Sequence, residues 1–248
     1  MLAIVGGSGL TQLASLEVTR REVVRTPYGE PSGALTFGMV CDQEVVFLAR
    51  HGYGHTIPPH RVNYRANLWA LKQVGVTDVV SVASVGGIRA DFGPGALIVP
   101  DQIIDYTWGR ECTFFEGGES PVRHVDFTHP YDQKLRQRLL DAAAKIGEAV
   151  YDGGVYAASQ GPRLETAAEI DRFERDGADV VGMTGMPEAV LARELELPYA
   201  AINVVANYAA GRASSEAGIS FDSIEVVLHE AMTRVRGLLN GLCSDGDH

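Results

Sequence analysis

Short apolar runs alternate with amphipathic segments along most of this chain, and this alternation is the feature that most limits its fold. The apolar runs predict buried strands at 1–7, 44–50, 78–87, 95–106, 153–162, 178–185 and 199–211. Apolar residues recur at helical spacing between them, which predicts helices at 62–75, 132–147, 164–177, 186–196 and 223–242. The order predicts a single α/β domain over residues 1–248, with a mixed, mostly parallel central sheet flanked by helices on both faces.

Ligands of such sheets bind at the carboxyl ends of the strands. The residues at those ends are therefore the candidate walls of a site, namely 6–9, Arg50 and His51, 84–87, 161–165, Met183 and Thr184, and Asn207. The segment 108–130 is long, polar and irregular, and we expect it to be a mobile surface loop or a contact with another subunit.

The charge balance and the cysteines limit the partners and the compartment. The net charge is −11, which makes nucleic acid and anionic membranes poor partners. Cys41, Cys112 and Cys243 are odd in number and widely spaced, as free thiols of a reducing compartment are. We see neither a signal peptide at the start of the chain nor an apolar run of about 18 residues, and we expect a cytoplasmic protein.

Positive charge and imidazole are concentrated in residues 50–61 of this acidic chain. A guanidinium and an imidazole, here Arg50 and His51, can bind an oxyanion, although a surface ion pair is the alternative. His51, His55 and His60 could instead ligate a metal, but their spacing is loop-like and no acidic residue lies among them. The pattern favours an anion, and we predict no metal site.

Several other positions have both a structural and a functional interpretation. The Gly-rich turn VGGSGL (5–10) is a tight turn or an anion-binding nest, but its spacing is not that of a dinucleotide or P-loop motif. Glu165, placed in the first turn of the predicted helix 164–177, interacts with the helix dipole or accepts hydrogen bonds from a flat heterocycle. Met183 lies in the core or covers a sugar or base face. Asn207 is a turn residue or offers a planar amide to a ligand.

These motifs together resemble one known family. VGGSGL, RHGYGHTIPPHRVNYRAN, GPRLETAAEI, GMTGMPEAVLARE and NVVANYAAG occur in the order found in the trimeric purine nucleoside phosphorylases, most closely the branch that acts on 5'-methylthio nucleosides. The resemblance runs from Val5 to the C-terminal helix. It implies the nucleoside phosphorylase fold, a pentosyltransferase without a cofactor, and a homotrimer. His124 is then our candidate for reaching a neighbouring subunit's site.

The resemblance also implies a phosphate site, with inorganic phosphate as co-substrate. By position it assigns phosphate binding to Ser8, Arg50, His51, the backbone N–H of Ser84 and the hydroxyl of Thr184. His51 is in addition assigned a catalytic role.

At the base, the resemblance assigns catalytic roles to Glu165 and Asn207. Adenine-type methylthio phosphorylases carry Asp-Tyr-Asp where this chain has Asn207, Tyr208 and Ala209, whereas inosine and guanosine phosphorylases use a Glu and Asn pair. A 6-oxopurine offers its N1–H to a carboxylate and its O6 to an amide, which matches the pair in this chain. Leu164 stands where the family often has a stacking Phe.

At the sugar, the resemblance places Met183 against the ribose, His55 and Pro59 around the 5' substituent, and Phe221 on an apolar methylthio group. It thus implies phosphorolysis of S-methyl-5'-thioinosine to hypoxanthine and 5-methylthioribose 1-phosphate, a purine salvage reaction. The alternatives are a general inosine and guanosine phosphorylase, a methylthioadenosine phosphorylase, a hydrolytic nucleosidase and, outside enzymes, a nucleoside-binding regulatory protein.

Overall fold

The computed structural model describes residues 1–118 and 121–244. Its strands are β1 (Leu2–Gly6), β2 (Glu17–Glu22), β3 (Leu35–Val40), β4 (Gln43–Ala49), β5 (Asp78–Gly87), β6 (Leu97–Val99), β7 (Gln102–Asp105), β8 (Val150–Asp152), β9 (Val155–Ala158), β10 (Val180–Gly182) and β11 (Tyr199–Tyr208). Its α-helices are α1 (Tyr64–Gln73), α2 (Gln133–Lys145), α3 (Ala167–Arg175), α4 (Gly185–Glu194) and α5 (Phe221–Ser244).

The strands of the described residues form one 11-stranded mixed sheet. One path follows the order β2-β3-β4-β1-β5-β10-β9-β7, while β11 pairs with β5 and continues through β6 to β8. The central strands β4, β1, β5 and β11 are parallel neighbours, and antiparallel pairs lie around them, as in β2–β3, β3–β4, β5–β10 and β6–β11. The predicted mixed, mostly parallel sheet is confirmed.

Helices cover both faces of the sheet, because side chains of a buried strand alternate between its two faces. Ile4 of β1 lies in a core cluster with Leu239 of α5, and α2 contributes to the same cluster. The next residue, Val5, lies in the opposite cluster with Leu68 of α1 and Leu191 of α4. The predicted arrangement of helices on both faces is therefore confirmed.

Three strands, β2, β3 and β8, are missing from the sequence-based prediction. Every residue of β2 is exposed, so its sequence EVTRRE has no alternation of apolar and polar residues. β2 exists because its backbone pairs with β3 at the edge of the sheet, and β8 is a three-residue strand that pairs with β6. Strands held by pairing alone leave little trace in a hydrophobic pattern.

Helix α3 begins later than predicted, and this moves Glu165 out of the helix. Thr166 is the N-cap: its side chain accepts from the backbone N–H of Glu169 at 3.1 Å, and the Glu169 carboxylate accepts from the backbone N–H of Thr166 at 2.8 Å. This capping box fixes the helix start at Ala167. The prediction that Glu165 lies in the first helical turn is therefore wrong.

The described part of segment 108–130 has neither helix nor strand, but it is attached to the helices beneath it. Arg65 of α1 forms an ion pair with Glu111 at 2.9 Å, and Glu194 of α4 accepts from the backbone N–H of Phe114 at 2.7 Å. These contacts hold its first half against α1 and α4. Whether its second half, which includes the exposed His124, meets another subunit stays a prediction.

Cys41 and Cys112 are exposed and Cys243 is buried, and all three are free thiols, as predicted. Within residues 1–118 and 121–244, no helix combines the length and the apolar character that a bilayer span requires.

Candidate active site

A cavity of about 670 Å³ opens at the carboxyl ends of the central strands, a size typical of small-molecule sites. Its wall contains every residue that the sequence analysis assigned to phosphate or nucleoside binding within one chain, namely Ser8, Arg50, His51, His55, Pro59, Ser84, Leu164, Glu165, Met183, Thr184, Asn207 and Phe221. The structure thus places the predicted residues in one cavity, and their individual roles stay predictions.

Strand register explains why distant segments meet at this cavity. In the parallel pair β1–β4, Gly6 lies opposite Ala49, so the turn after β1 and the turn after β4 leave the sheet side by side. The backbone N–H of Arg50 donates to the carbonyl oxygen of Gly6 at 2.9 Å and joins the two turns. In the pair β5–β11, Ser84 lies opposite Val204, which brings both strand ends to the same edge.

Gly7 lets the first turn pack directly on Arg50. A Cβ at this position would lie 2.8 Å from Nη1 of Arg50 and 2.7 Å from the carbonyl oxygen of Val82. Any larger residue would therefore displace the guanidinium or the strand. Gly7 of the VGGSGL turn is therefore needed for this close approach.

Arg50 is fully buried, and Glu188 binds it at two points. Nε donates to Oε2 of Glu188 at 2.7 Å and Nη2 donates to Oε1 at 2.9 Å. Nη2 also donates to the hydroxyl of Ser81 at 2.6 Å, and Nη1 to the carbonyl oxygen of Val82 at 3.1 Å. The second N–H of Nη1 has no partner among the described residues.

Glu188 also compensates the buried positive charge. Burial opposes the charged form of Arg50, but the carboxylate of Glu188 more than offsets this, so the pKa of Arg50 is raised. Tyr199 donates its hydroxyl to Oε1 of Glu188 at 2.8 Å and completes the network. The sequence analysis did not identify Glu188. The available signal was an acidic residue inside the apolar run MPEAVLA, because buried carboxylates are nearly always paired.

His51 lies in a tight loop that fixes its orientation. The carbonyl oxygen of His51 accepts from the backbone N–H groups of Thr56 at 3.0 Å and Ile57 at 3.1 Å. Its Nδ1 lies 2.8 Å from the carbonyl oxygen of Ile57. Burial, followed by the charge of Arg50, lowers the pKa of His51 to about 4, although the bond to Ile57 acts in the other direction. The imidazole is therefore neutral near pH 7.

Glu165 lies in the segment between β9 and α3 and lines the cavity. Its Oε1 accepts a hydrogen bond of 2.5 Å from the hydroxyl of Ser159, which is buried at the end of that strand. Burial raises the pKa of Glu165, and the hydrogen bond from Ser159 partly opposes this effect. Ser159 holds one carboxylate oxygen in place and leaves the other for a ligand. The sequence analysis did not identify Ser159.

A β-bulge in β11 positions Asn207. Val205 pairs with Val85 and Asn207 pairs with Gly86, so one extra residue lies between them on β11. Such a bulge turns the following side chain away from the regular alternation of the strand. Nδ2 of Asn207 donates to the carbonyl oxygen of Tyr208 at 2.6 Å, and Oδ1 has no partner among the described residues. Asn207 is thus a cavity residue that presents an acceptor.

Arg110, which the sequence analysis did not identify, binds the backbone of the segments that follow β9 and β10. Nη1 donates to the carbonyl oxygens of Met183 at 2.8 Å and Met186 at 2.6 Å, and Nη2 donates to that of Gln160 at 2.8 Å. The carbonyls of Gln160 and Met183 lie in the turns after β9 and β10, and that of Met186 lies in α4, so one side chain from segment 108–130 joins both turns to the helix. Its role depends on long-range contacts that a local motif does not reveal.

Met183 and Thr184 are held by contacts that restrict what they can offer a ligand. Gly161 has a φ of 63°, and a Cβ there would lie 2.4 Å from Sδ of Met183, so only glycine allows this contact. The backbone N–H of Thr184 donates to the hydroxyl of Tyr156 at 3.1 Å. The amide of Thr184 is therefore engaged within the protein.

The remaining wall combines imidazole and apolar groups. His55 has a φ of 51°, rare for a residue other than glycine, and its ring centroid lies 4.7 Å from that of His51. The hydroxyl of Ser8 lies 3.4 Å from Nε2 of His55. Phe221, at the start of α5, lines the cavity although it is 70% exposed. In residues 1–118 and 121–244, no group of three or more His, Cys, Asp or Glu side chains could hold a metal ion.

Comparisons with known proteins identify the family of this chain. Residues 1–243 match the Phosphorylase superfamily. The chain is 53% identical over 237 residues to the "Probable S-methyl-5'-thioinosine phosphorylase" of Pseudomonas syringae pv. tomato, which covers 96% of each chain. It is 51% identical over 215 residues to the "6-oxopurine nucleoside phosphorylase" of Pyrococcus furiosus, covering 85% of this chain and 80% of that protein.

A solved structure extends the comparison to the fold. Methylthioadenosine phosphorylase from Schistosoma mansoni in complex with adenine is similar to this chain with a TM-score of 0.93 and 33% identity, over 98% of this chain and 90% of that one. The fold and the sequence match therefore agree. The predicted resemblance is confirmed: the chain belongs to the phosphorylase superfamily and is an enzyme of the pentosyltransferase type.

Proposed function

We propose that this enzyme phosphorolyses S-methyl-5'-thioinosine, giving hypoxanthine and 5-methylthioribose 1-phosphate. The observation that carries the proposal is that Glu165, Asn207 and Arg50 share one cavity. A carboxylate and an amide acceptor then face a purine beside a site for an anion. The relative at 53% identity, whose name states this substrate, supports the same conclusion.

The base end favours a 6-oxopurine. One oxygen of Glu165 is occupied by Ser159, and the other can accept the N1–H that a 6-oxopurine carries and adenine lacks. Adenine would place a bare N1 acceptor against this carboxylate, a mismatch worth about 1–3 kcal/mol or more when buried. Oδ1 of Asn207 can accept from N7–H of the departing purine, because Nδ2 is held by Tyr208. Ala209 is buried and offers no second carboxylate.

The reaction follows from this arrangement. The bond from C1' to N9 lengthens first, its electron pair moves to the purine, and the ribose becomes oxocarbenium-like. Phosphate, held by Ser8, Arg50, His51, Ser84 and Thr184, stabilises that cation electrostatically and then forms the new bond to C1' with inversion. N7 of the purine takes up a proton from solvent, and the P–OH hydrogen is released to solvent as phosphate bonds to C1'. Asn207 stabilises the purine protonated at N7, and Glu165 holds N1–H.

The sugar end accounts for the 5' substituent. Phe221 and Pro59 line the cavity with apolar surface, and His55 lies beside them. An apolar methylthio group is attracted to such surface more than a hydroxyl is. A general 6-oxopurine nucleoside phosphorylase is the second candidate, since the Pyrococcus furiosus relative bears that name at 51% identity.

The proposal also covers the co-substrate, the compartment and the oligomeric state of the enzyme. The reaction needs inorganic phosphate as co-substrate and draws on no organic cofactor or metal. Free thiols at Cys41, Cys112 and Cys243 favour a reducing, cytoplasmic location. We propose a homotrimer, built from one domain per chain, in which His124 reaches the site of a neighbouring subunit. Sedimentation of an active monomer would refute the trimer.

A substrate panel tests the function. The purified enzyme is given methylthioinosine, methylthioadenosine, inosine or guanosine, each with and without phosphate. We expect phosphate-dependent release of hypoxanthine, fastest from methylthioinosine. Release without phosphate would indicate a hydrolase, no release would indicate a binding protein, and equal turnover of methylthioadenosine would refute the base argument.

The variant Asn207→Asp tests the same argument within the cavity. A carboxylate at this position accepts from an exocyclic amine as well as from N7–H, so we expect the preference to move toward methylthioadenosine by about tenfold or more. Asn240→Asp, the same change outside the cavity, is the control and should keep the original preference. An unchanged preference in Asn207→Asp would refute the assignment.

A further inference from the structure

We propose that the anion subsite selects a protonated oxyanion, because Nε2 of His51 accepts a hydrogen bond from the P–OH group of hydrogen phosphate. The subsite would then admit phosphate and reject tetrahedral dianions of similar size that have no proton to donate. This inference rests on the proposed phosphorolysis and adds to it the protonation state of the co-substrate that is bound.

The tautomer of His51 follows from its contacts. Nδ1 lies 2.8 Å from the carbonyl oxygen of Ile57. A carbonyl oxygen can only accept, so Nδ1 must carry the hydrogen. The loop cannot release this contact easily, because the backbone N–H groups of Thr56 and Ile57 both donate to the carbonyl oxygen of His51. In the neutral ring, Nε2 then has a lone pair and no hydrogen.

Nε2 is the ring nitrogen that a ligand can reach. His51 lines the cavity, and Nε2 has no hydrogen-bond partner among the described residues. Nε2 is not shielded from solvent as a buried, unpartnered atom would be, so it is open to the cavity. The group that faces an anion at this point is therefore an acceptor.

The surroundings keep the ring neutral. The charged or titratable groups near it are Arg50, His55 and Glu188, and burial together with Arg50 and His55 disfavours a second positive charge. Glu188 acts in the opposite direction, but its carboxylate is engaged at both oxygens by Arg50. His51 thus remains an acceptor throughout the neutral pH range.

The subsite also lacks a net charge with which to attract every dianion. The positive charge of fully buried Arg50 is matched by the negative charge of Glu188, and one N–H of the guanidinium has no partner among the described residues. Binding must therefore come from directed hydrogen bonds of Ser8, Ser84, Thr184 and Arg50. A site of this kind distinguishes ligands by their donors and acceptors more than by their charge.

Fluorophosphate and sulfate are the matched probes. At about pH 8 phosphate, fluorophosphate and sulfate are all dianions, but only hydrogen phosphate has a hydroxyl. Either probe would place a lone pair against the lone pair of Nε2. We expect both to bind about 10- to 100-fold more weakly than phosphate, the effect of leaving a buried acceptor unpaired.

The measurement is the dissociation constant of each anion by isothermal titration calorimetry, together with competitive inhibition against phosphate. His51→Gln supplies an amide N–H that can donate to any of the three, so their affinities should fall within about threefold of one another. His60→Gln, an imidazole outside the cavity wall, should keep the wild-type preference.

The outcomes separate this inference from the proposed function. Tight binding of fluorophosphate or sulfate by the wild-type enzyme, with phosphate-dependent turnover intact, overturns the inference alone. Absence of phosphate-dependent turnover overturns the proposed function. If His51→Gln does not fold, the wild-type comparison of fluorophosphate with phosphate still decides.

Discussion

Removal of the Glu188 carboxylate should destabilise the protein more than almost any other single change in polarity. Arg50 and Glu188 both have side chains that are 0% exposed, and they share two hydrogen bonds of 2.7 and 2.9 Å. Glu188→Ala leaves a buried guanidinium with no counter-charge. Breaking a buried pair in this way lowers the free energy of unfolding by about 3–5 kcal/mol. In a chain of this size that corresponds to a fall in Tm of roughly 10 °C.

The assay is chemical denaturation followed by circular dichroism, with Glu44→Ala as the matched control. Glu44 pairs with Arg20 at 3.5 Å, but both side chains are about half exposed, so its removal should change the free energy of unfolding by no more than about 0.5 kcal/mol. The double variant Arg50→Met, Glu188→Leu replaces both charges by apolar groups of similar volume. It should recover most of the lost stability and yet have no phosphorolysis.

Two results would refute this reasoning. A loss below about 1 kcal/mol in Glu188→Ala would mean that the Arg50 charge finds compensation elsewhere. A double variant that keeps phosphate-dependent turnover would mean that Arg50 does not serve the anion.

Three further predictions concern the two ends of the cavity. Glu165→Gln supplies an N–H that can donate to N1 of adenine, so the preference for methylthioinosine over methylthioadenosine should narrow by about 10- to 100-fold in kcat/KM. Ser159→Ala removes the hydrogen bond that lowers the pKa of Glu165, so this pKa should rise. The 6-oxopurine needs the ionised carboxylate, and activity is therefore lost as pH falls through that pKa. The acid limb of the pH–rate profile should accordingly move to higher pH in this variant. Phe221→Ala removes apolar surface at the 5' end, so the preference for a methylthio group over a hydroxyl should fall by about 3- to 10-fold.

Each of these predictions has a contradicting outcome. An unchanged base preference in Glu165→Gln would show that N1 is recognised elsewhere. If the acid limb of the pH–rate profile does not move in Ser159→Ala, although the variant folds normally, then Glu165 is not the group whose titration controls activity. Equal loss of inosine and methylthioinosine turnover in Phe221→Ala would give this residue a structural role only.

The sequence was sufficient to predict which residues lie at the carboxyl ends of the central strands. Arg50 and Asn207 follow apolar runs, and parallel strands bring their carboxyl ends to one edge, so their placement in one cavity could be predicted. It was not sufficient for the start of α3. The spacing of Thr166 and Glu169 is that of a capping box, a signal that places Glu165 outside the helix and that the helical periodicity of 164–177 obscured.

Residues that act through distant partners could not be predicted. Glu188 is 138 positions from Arg50 along the chain, and Arg110 contacts Met183 across 73 positions. Ser159 is near Glu165 in sequence, but the turn after β9 decides whether their side chains meet.

The sequence by itself determined the order of strands and helices and the identities of the side chains at the strand ends, because apolar periodicity and turn residues act locally. Tertiary structure alone decided the chemical state of those side chains. Burial and the packing of Glu188 against Arg50 cancel a charge, and the loop around His51 fixes which nitrogen holds the hydrogen. Charge compensation and tautomer depend on which groups meet in space, and residue order does not contain that information.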